Sequence, residues 1–240
     1  MKPIDPKGLS DSLLAFTNAA PWARGPHIAF IQRMAASIAP GETVLDVGAG
    51  DAPYRELFSH ANYKASDWDH SLYAPEVPPD LTAHADRLPV ADASIDAILN
   101  TQVLEHVPEP SSVLREFFRV LRPGGMVWLT APLVWFLHEL PYDYYRYTPN
   151  GLEHLLTLAG FRDVEIVPMN DAFSTLAQLM SEIGYMMGAA DDGRNAERAI
   201  IARTMGQLAD LVASFSEFDT QWILPINYAA VATRPDQHSA

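Results

Sequence analysis

The stretch VLDVGAGDAPY, Val44–Tyr54, has the pattern of a buried strand that runs into a turn and then a helix. Gly48 and Gly50 follow the apolar run, and glycines two residues apart are typical of a turn where a ligand comes close to the backbone. Pro53 suits the first turn of a helix. The stretch therefore predicts a strand, turn and helix unit with a ligand above its turn.

Strands and helices alternate through the rest of the chain. Apolar residues at three- and four-residue steps predict helices over 23–39, 110–121 and 149–159. The glycines of RPGG, residues 122–125, are predicted to end the second of these helices. Apolar or alternating runs predict extended segments over 43–47, up to Asp67, and over 81–85, 95–100, 126–131, 161–167 and 221–233. Such alternation predicts an α/β, doubly wound sheet with parallel pairing and helices on both faces.

A long helical segment interrupts this alternation near the end of the chain. Residues 171–218 have the pattern of one or two helices, broken around 189–195, and they separate the last two strands by about fifty residues. Because such a connection is long, we interpret it as an inserted helical hairpin that serves as a lid or as the surface of a homodimer. We predict a single domain, 1–240, with a helical cap at 1–40, a core at 41–170, the insertion at 171–219 and the last strand at 220–234.

The composition excludes several classes of function. With 16 Lys and Arg against 30 Asp and Glu, the formal net charge of −14 disfavours binding to nucleic acid or to an anionic membrane. The absence of cysteine excludes disulfides, thiolate nucleophiles and cysteine-ligated zinc. Neither a basic and apolar leader nor a run of about 18 apolar residues is present, so we predict a cytoplasmic protein without membrane insertion.

The glycine turn departs from a dinucleotide site at two positions. The third glycine of G-x-G-x-x-G is replaced by Pro53, and Asp46 stands two residues before Gly48. A carboxylate at that position is poorly matched to a pyrophosphate, and it suits a zwitterion that carries an ammonium and a sulfonium. These two residues therefore disfavour a nicotinamide oxidoreductase.

With these residues in place, the sequence resembles the class I S-adenosylmethionine-dependent methyltransferases. The resemblance spans roughly 44–167 plus the last strand, with LDVGAG as the first motif. Asp67 then matches the acid that holds both ribose hydroxyls, and Asp86 the acid that contacts adenine. The segments LEHV and LRPGG follow in the family's order. The resemblance implies a Rossmann-like sheet of seven strands, mostly parallel with an antiparallel last strand.

The resemblance also implies a cofactor, S-adenosylmethionine, which leaves as S-adenosylhomocysteine. It places eight residues at the cofactor: Asp46, Gly48, Gly50, Asp67, Trp68, Asp86, Arg87 and Gln102. Asp69, in ASDWDH, competes with Asp67 for the ribose. From its position in PWARGPH, we also expect Arg24 near the methionine carboxylate.

The methyl acceptor determines which further groups are needed. A hydroxyl acceptor needs a base or a metal to remove its proton, whereas an amine or an enolate needs little more than alignment. His106, in LEHV, is interpreted mainly as a cofactor contact. His138 follows the fifth strand toward the expected acceptor region, and a histidine titrates near working pH. We therefore predict His138 as the base, or else as a residue that holds its loop.

The segment HELPYDYYRYT around His138 resembles a subset of these methyltransferases that is associated with sugar and polysaccharide modification. Asp143 and Tyr145 complete the predicted catalytic set. If a divalent metal such as Mg²⁺ is used, its candidate ligands are His138, Glu139 and Asp143.

The sequence therefore predicts methyl transfer to a small-molecule or saccharide acceptor, at oxygen. Two alternatives stay open: an N- or C-methyltransferase of a natural-product or quinone-like substrate, and a catalytically silent cofactor-binding or scaffold protein.

Overall fold

A computed structural model describes residues 9–69, 78–189 and 193–236. Parts of the predicted cap, residues 1–8, and of the predicted break in the insertion, residues 190–192, lie outside these ranges. The described residues form one seven-stranded sheet, and its strands in chain order are β1 (Thr43–Val47), β2 (Asn62–Asp67), β3 (Leu81–Thr82), β4 (Ile95–Thr101), β5 (Leu121–Pro132), β6 (Arg162–Pro168) and β7 (Asn227–Thr233).

The order of the strands across the sheet is β3-β2-β1-β4-β5-β7-β6. Strands β1 to β5 pair in parallel, whereas β7 is antiparallel to both of its neighbours, β5 and β6. The predicted sheet, mostly parallel with an antiparallel last strand, is therefore confirmed. The order reverses beside β1, and ligands of open α/β sheets bind outside the carboxyl ends of the strands at such a point.

Helices cover both faces of the sheet. The α-helices of the described residues are α1 (Asp11–Asn18), α2 (Pro21–Ser37), α3 (Pro110–Val120), α4 (Pro149–Leu158), α5 (Ala172–Ala189) and α6 (Asn195–Ala213). Because side chains alternate along a strand, Leu45 packs into the apolar core beneath α3 and α4, while Val44 packs into the core beneath α1 and α2. Burial on both faces explains why β1 is apolar at most positions.

The connection between the last two strands, β6 and β7, contains two helices. Helix α5 packs against α6 and also against α2. The predicted helical insertion before the last strand is thus present. Within the ranges that the structure covers, no helix combines the length and the apolar character that a membrane crossing requires.

Three local predictions are wrong. The helix predicted to begin at Pro53 is only a short 3₁₀ turn, Arg55–Phe58, because β2 begins already at Asn62. The segment RPGG lies inside β5, where Gly124 and Gly125 form backbone hydrogen bonds with Arg234.

The third error concerns the last strand, which begins at Asn227 and not at Gln221. Asp219 accepts hydrogen bonds from the amides of Ala172, Gln221 and Trp222, and these bonds hold the preceding segment in a turn. Within the predicted helical cap, a separate helix α1 precedes α2, whereas the apolar spacing predicted only the helix over 23–39.

Candidate active site

A cavity of about 390 Å³ lies at the carboxyl ends of β1, β2 and β4. Its walls come from the glycine turn, from the end of β2, from residues 83–86, from the segment after β4 and from the aromatic loop that follows β5. This volume lies within the range of small-molecule sites, ~300–1,000 Å³. The cavity therefore lies where the strand order predicts a ligand.

The two glycines of the turn line the cavity but differ in their surroundings. Both have left-handed backbone, with φ of 74° at Gly48 and 53° at Gly50. A Cβ at Gly48 would lie 2.3 Å from Cγ2 of Val103, whereas a Cβ at Gly50 would meet nothing within 4 Å. Gly48 is thus required for packing, and the open space above Gly50 is left for a ligand.

This difference predicts opposite phenotypes for two alanine variants. Gly48→Ala should lower the free energy of unfolding by about 2 kcal/mol or more, because a left-handed backbone and a clash both oppose the new side chain. Gly50→Ala should lower it by only about 1 kcal/mol, but its methyl group would protrude into the cavity and weaken ligand binding. Urea unfolding and calorimetry measure the two effects, and equal losses of stability would contradict this assignment.

Asp67, at the end of β2, presents its carboxylate to the cavity. Oδ2 accepts the Gly50 amide at 2.7 Å, and Oδ1 accepts the Trp68 amide at 2.7 Å. Each oxygen keeps a further lone pair, so the fixed carboxylate can accept from two vicinal hydroxyls. This geometry is what a ribose requires.

Asp46, in β1, does not line the cavity. Its side chain is buried on the α2 face and accepts a hydrogen bond from the hydroxyl of Tyr63. Burial raises the pKa of Asp46 to about 7, against the effect of the Tyr63 hydrogen bond. Val47, its neighbour along β1, lines the cavity instead, because adjacent side chains point to opposite faces.

Trp68, Asp86 and Gln102 also line the cavity. The ring of Trp68 packs edge-on against Tyr142, with 5.1 Å between the centroids, and so closes one side. Gln102 has a positive φ of 55° and donates a hydrogen bond from Nε2 to Thr130 Oγ1 at 3.0 Å.

The two predicted arginines lie outside this cavity. Arg87 borders a neighbouring depression, which shares residues 83, 84 and 86 with the cavity. The guanidinium of Arg24 lies 4.1 Å from the ring centroid of Phe16 and donates a hydrogen bond to the Phe16 carbonyl at 2.9 Å. Arg24 is therefore engaged between the two N-terminal helices.

The aromatic loop after β5 is held in place by two of the predicted catalytic residues. The side chain of Asp143 is buried and accepts two hydrogen bonds from Arg146, at 2.6 and 3.0 Å. These bonds hold the pKa of Asp143 well below its usual range. The hydroxyl of Tyr145 donates to the Pro108 carbonyl at 2.9 Å, and neither side chain lines the cavity.

Four titratable side chains meet beside the cavity. His106 and Glu139 line it, and His106 Nε2 lies 3.7 Å from Glu139 Oε2. His138 packs edge-on against His106, with 4.7 Å between the ring centroids, but it does not line the cavity. Glu105 is fully buried, and its Oε1 lies 3.9 Å from His106 Nε2. We call Glu105, His106, His138 and Glu139 the polar cluster.

Two members of the polar cluster have shifted pKa values. Burial, and then the charge of His106, lowers the pKa of His138. Burial raises the pKa of Glu105 to about 8. Glu139 has a positive φ of 52°, so the cavity wall contains two strained non-glycine residues, Gln102 and Glu139.

The predicted metal ligands are only partly brought together. His138 and Glu139 belong to the polar cluster, and Asp143 Oδ2 lies 3.5 Å from His138 Nδ1, but the Asp143 carboxylate is paired with Arg146. Glu105 was missed as a candidate. The motif L-E-H-V contains it, but nothing in the sequence signals that its carboxylate is buried against His106.

Comparison with known proteins agrees with this geometry. A family model described as a methyltransferase domain matches residues 45–129. A methyltransferase of Mycolicibacterium gilvum, named uncharacterized, is 30% identical over 197 residues, which cover 75% of this chain and 67% of the relative. A relative in Mycolicibacterium smegmatis, named a probable S-adenosylmethionine-dependent methyltransferase, is 32% identical over 118 residues, 46% of this chain and 45% of the relative.

The fold is also found among solved structures. A SAM-dependent methyltransferase from Archaeoglobus fulgidus superposes with a TM-score of 0.56 at 16% identity, over 93% of this chain and 100% of that one. The chain belongs to the S-adenosylmethionine-dependent methyltransferase family. It spans 67% and 45% of the lengths of the two mycobacterial relatives.

The described residues fit the cofactor of this family. The carboxylate of Asp67 would hold the ribose, the open space above Gly50 would admit the ligand close to the backbone, and Asp86 would contact the adenine. When bound, S-adenosylmethionine supplies a methyl group on a sulfonium.

Proposed function

We propose that the chain transfers a methyl group from S-adenosylmethionine to a hydroxyl oxygen of a small-molecule or saccharide acceptor. The single observation that carries this proposal is the polar cluster, because a hydroxyl must lose its proton as the new bond forms. An amine acceptor would not need two histidines and two carboxylates beside the cavity.

His106 and Glu139 are the members of the polar cluster that line the cavity, and Glu105 and His138 contact His106 behind it. The Nδ1 atom of His106 lies 3.0 Å from the Tyr142 carbonyl, so Nδ1 carries the hydrogen of the neutral ring and Nε2 keeps a free lone pair. That lone pair can take a proton or bind a Lewis acid. His138, predicted as the base, contacts His106 and would act through it.

The aromatic loop supports a saccharide acceptor. Tyr142 and Tyr144 line the cavity, and Tyr144 is 45% exposed at its edge. Rigid aromatic rings with a polar tip suit the apolar face of a sugar. The other residues that line the cavity would exclude water and align the acceptor with the methyl group.

A panel of matched acceptors tests the proposal. Hydroxylated glycosides and their amino analogues would be incubated with S-adenosylmethionine carrying an isotopically labelled methyl group, and the products examined by NMR. We expect the label on oxygen and a rate that rises with pH as the general base loses its proton. Faster transfer to nitrogen or carbon, at a rate that does not rise with pH in this way, would favour an N- or C-methyltransferase. Cofactor binding without transfer to any acceptor would favour a silent protein.

Three further expectations stay predictions. A homodimer through the insertion is supported by exposed apolar side chains on α5 and α6, namely Tyr185, Met187, Ile200 and Leu211. A lid role requires α5 or α6 to move, since no described residue of either helix lines the cavity. The cytoplasmic location is the third.

A further inference from the structure

The two histidines of the polar cluster are oriented in the same way. His106 Nδ1 lies 3.0 Å from the Tyr142 carbonyl, and His138 Nδ1 lies 3.1 Å from the Phe136 carbonyl. A carbonyl only accepts, so both rings carry their hydrogen on Nδ1 and leave Nε2 unprotonated when neutral. Histidines that bind metals are oriented in this way by backbone carbonyls. Nε2 of His106 is buried and has no hydrogen-bond partner among the residues described.

Glu105 brings a buried carboxylate to the same point. Its side chain is fully buried, and neither oxygen has a hydrogen-bond partner within the described ranges. The guanidinium of Arg146 attracts this carboxylate but is itself hydrogen bonded to Asp143. Because a buried carboxylate without a hydrogen bond is costly, Glu105 needs either a proton or a cation.

We propose that Glu105, His106 and His138 form a site for a divalent first-row transition ion such as Zn²⁺. One donor atom from each of the three residues lies within 4.8 Å of the others. In a tetrahedral zinc site with metal–ligand bonds of about 2.0–2.1 Å, the ligand atoms lie roughly 3.3 Å apart. The three donor atoms therefore need to approach one another by less than about 1.5 Å. Two imidazoles and one carboxylate with an open fourth position are an established zinc set. Mg²⁺ prefers oxygen ligands alone and keeps its waters.

The ligand set differs from the one that the sequence predicts. Asp143 is replaced by Glu105, because Asp143 is bound to Arg146. Glu139 lies on the cavity side, with Oε2 at 3.7 Å from His106 Nε2, where it can complete the coordination or accept a proton. The role of the ion rests on the proposed function, since the ion would polarise the acceptor hydroxyl. Binding of the ion does not depend on methyl transfer.

Cobalt binding tests the site without cofactor or acceptor. The full chain, treated with a chelator and freed of it, would be titrated with Co²⁺ and followed by visible absorption. We expect one Co²⁺ ion per chain, with the intense visible absorption bands of cobalt that has few ligands. Zn²⁺ should displace the bound Co²⁺, whereas Mg²⁺ should not compete with it. Zn²⁺ should also raise the melting temperature, since it binds the folded chain.

Two ligand variants and one control decide the assignment. Glu105→Gln keeps the shape of a buried side chain, whereas His138→Gln changes a side chain that is partly exposed. If Glu105→Gln does not fold, His138→Gln still tests the site. Each should weaken Co²⁺ binding at least tenfold. His154→Gln, at an exposed position on α4, should not change it. Absence of the cobalt bands, or unchanged affinity in both ligand variants, would overturn the proposal and leave the methyl transfer untouched.

Discussion

Replacing Asp67 with alanine is expected to weaken S-adenosylmethionine binding by at least about 100-fold. The fixed carboxylate offers two acceptors to the ribose, and hydrogen bonds to a charged group contribute about 1.5–3 kcal/mol each. Since about 1.4 kcal/mol is a factor of ten, two such bonds account for the loss. Calorimetry with the cofactor measures it directly.

Two further variants control this result. Asp67→Asn keeps one acceptor oxygen and should fall between the wild type and Asp67→Ala. Asp69→Ala removes the neighbouring carboxylate, which does not line the cavity, and should leave the affinity unchanged. A loss at Asp69 and none at Asp67 would show that the ribose is held elsewhere. Melting curves verify that each variant is folded, because Asp67 also accepts the Gly50 amide.

The second large effect is expected at His106. His106→Gln should lower kcat for a hydroxyl acceptor by ~10²–10⁴-fold, because His106 Nε2 either takes the acceptor's proton or holds the ion that polarises the hydroxyl. The affinity for S-adenosylmethionine should change less than about tenfold, because the ribose and adenine contacts remain. Steady-state kinetics with a hydroxylated acceptor measures the first quantity and calorimetry the second.

The matched control is His154→Gln, which removes an exposed histidine of α4 and should retain wild-type kcat. His138→Gln should lower kcat less than His106→Gln, since His138 reaches the cavity only through His106. Full activity of His106→Gln would remove the polar cluster from the reaction.

Much of the fold could be predicted because its signals are local. The apolar run before Gly48 defines β1, and the end of β2 at Asp67 follows from the same pattern. The predictions that were wrong depended on residues far apart in the sequence. The glycines of RPGG resemble a helix end, yet they lie within β5, where its register with β4 shifts, and they form backbone hydrogen bonds with Arg234. A Cβ at Gly125 would lie 2.9 Å from the carbonyl of Asp96, so the sheet requires this glycine.

The site was predictable where a motif lies at the end of a strand. Gly50, Asp67 and Asp86 line the cavity because their places in the chain fix their places at the sheet edge. Arg24 could not be placed in this way, since the packing of α1 against α2 determines its direction. Glu105 stands beside His106 in the sequence, but its burial results from the aromatic loop, whose Tyr144 amide donates to the Glu105 carbonyl at 2.9 Å.

We propose that the cavity at the ends of β1, β2 and β4 binds S-adenosylmethionine, and a crystal structure of the chain with S-adenosylhomocysteine tests this binding site. We expect the ribose hydroxyls on the Asp67 carboxylate, the backbone of Gly50 beside the ligand and the sulfur facing the polar cluster. A ligand bound elsewhere, or bound in this cavity without contact to Asp67, would contradict it.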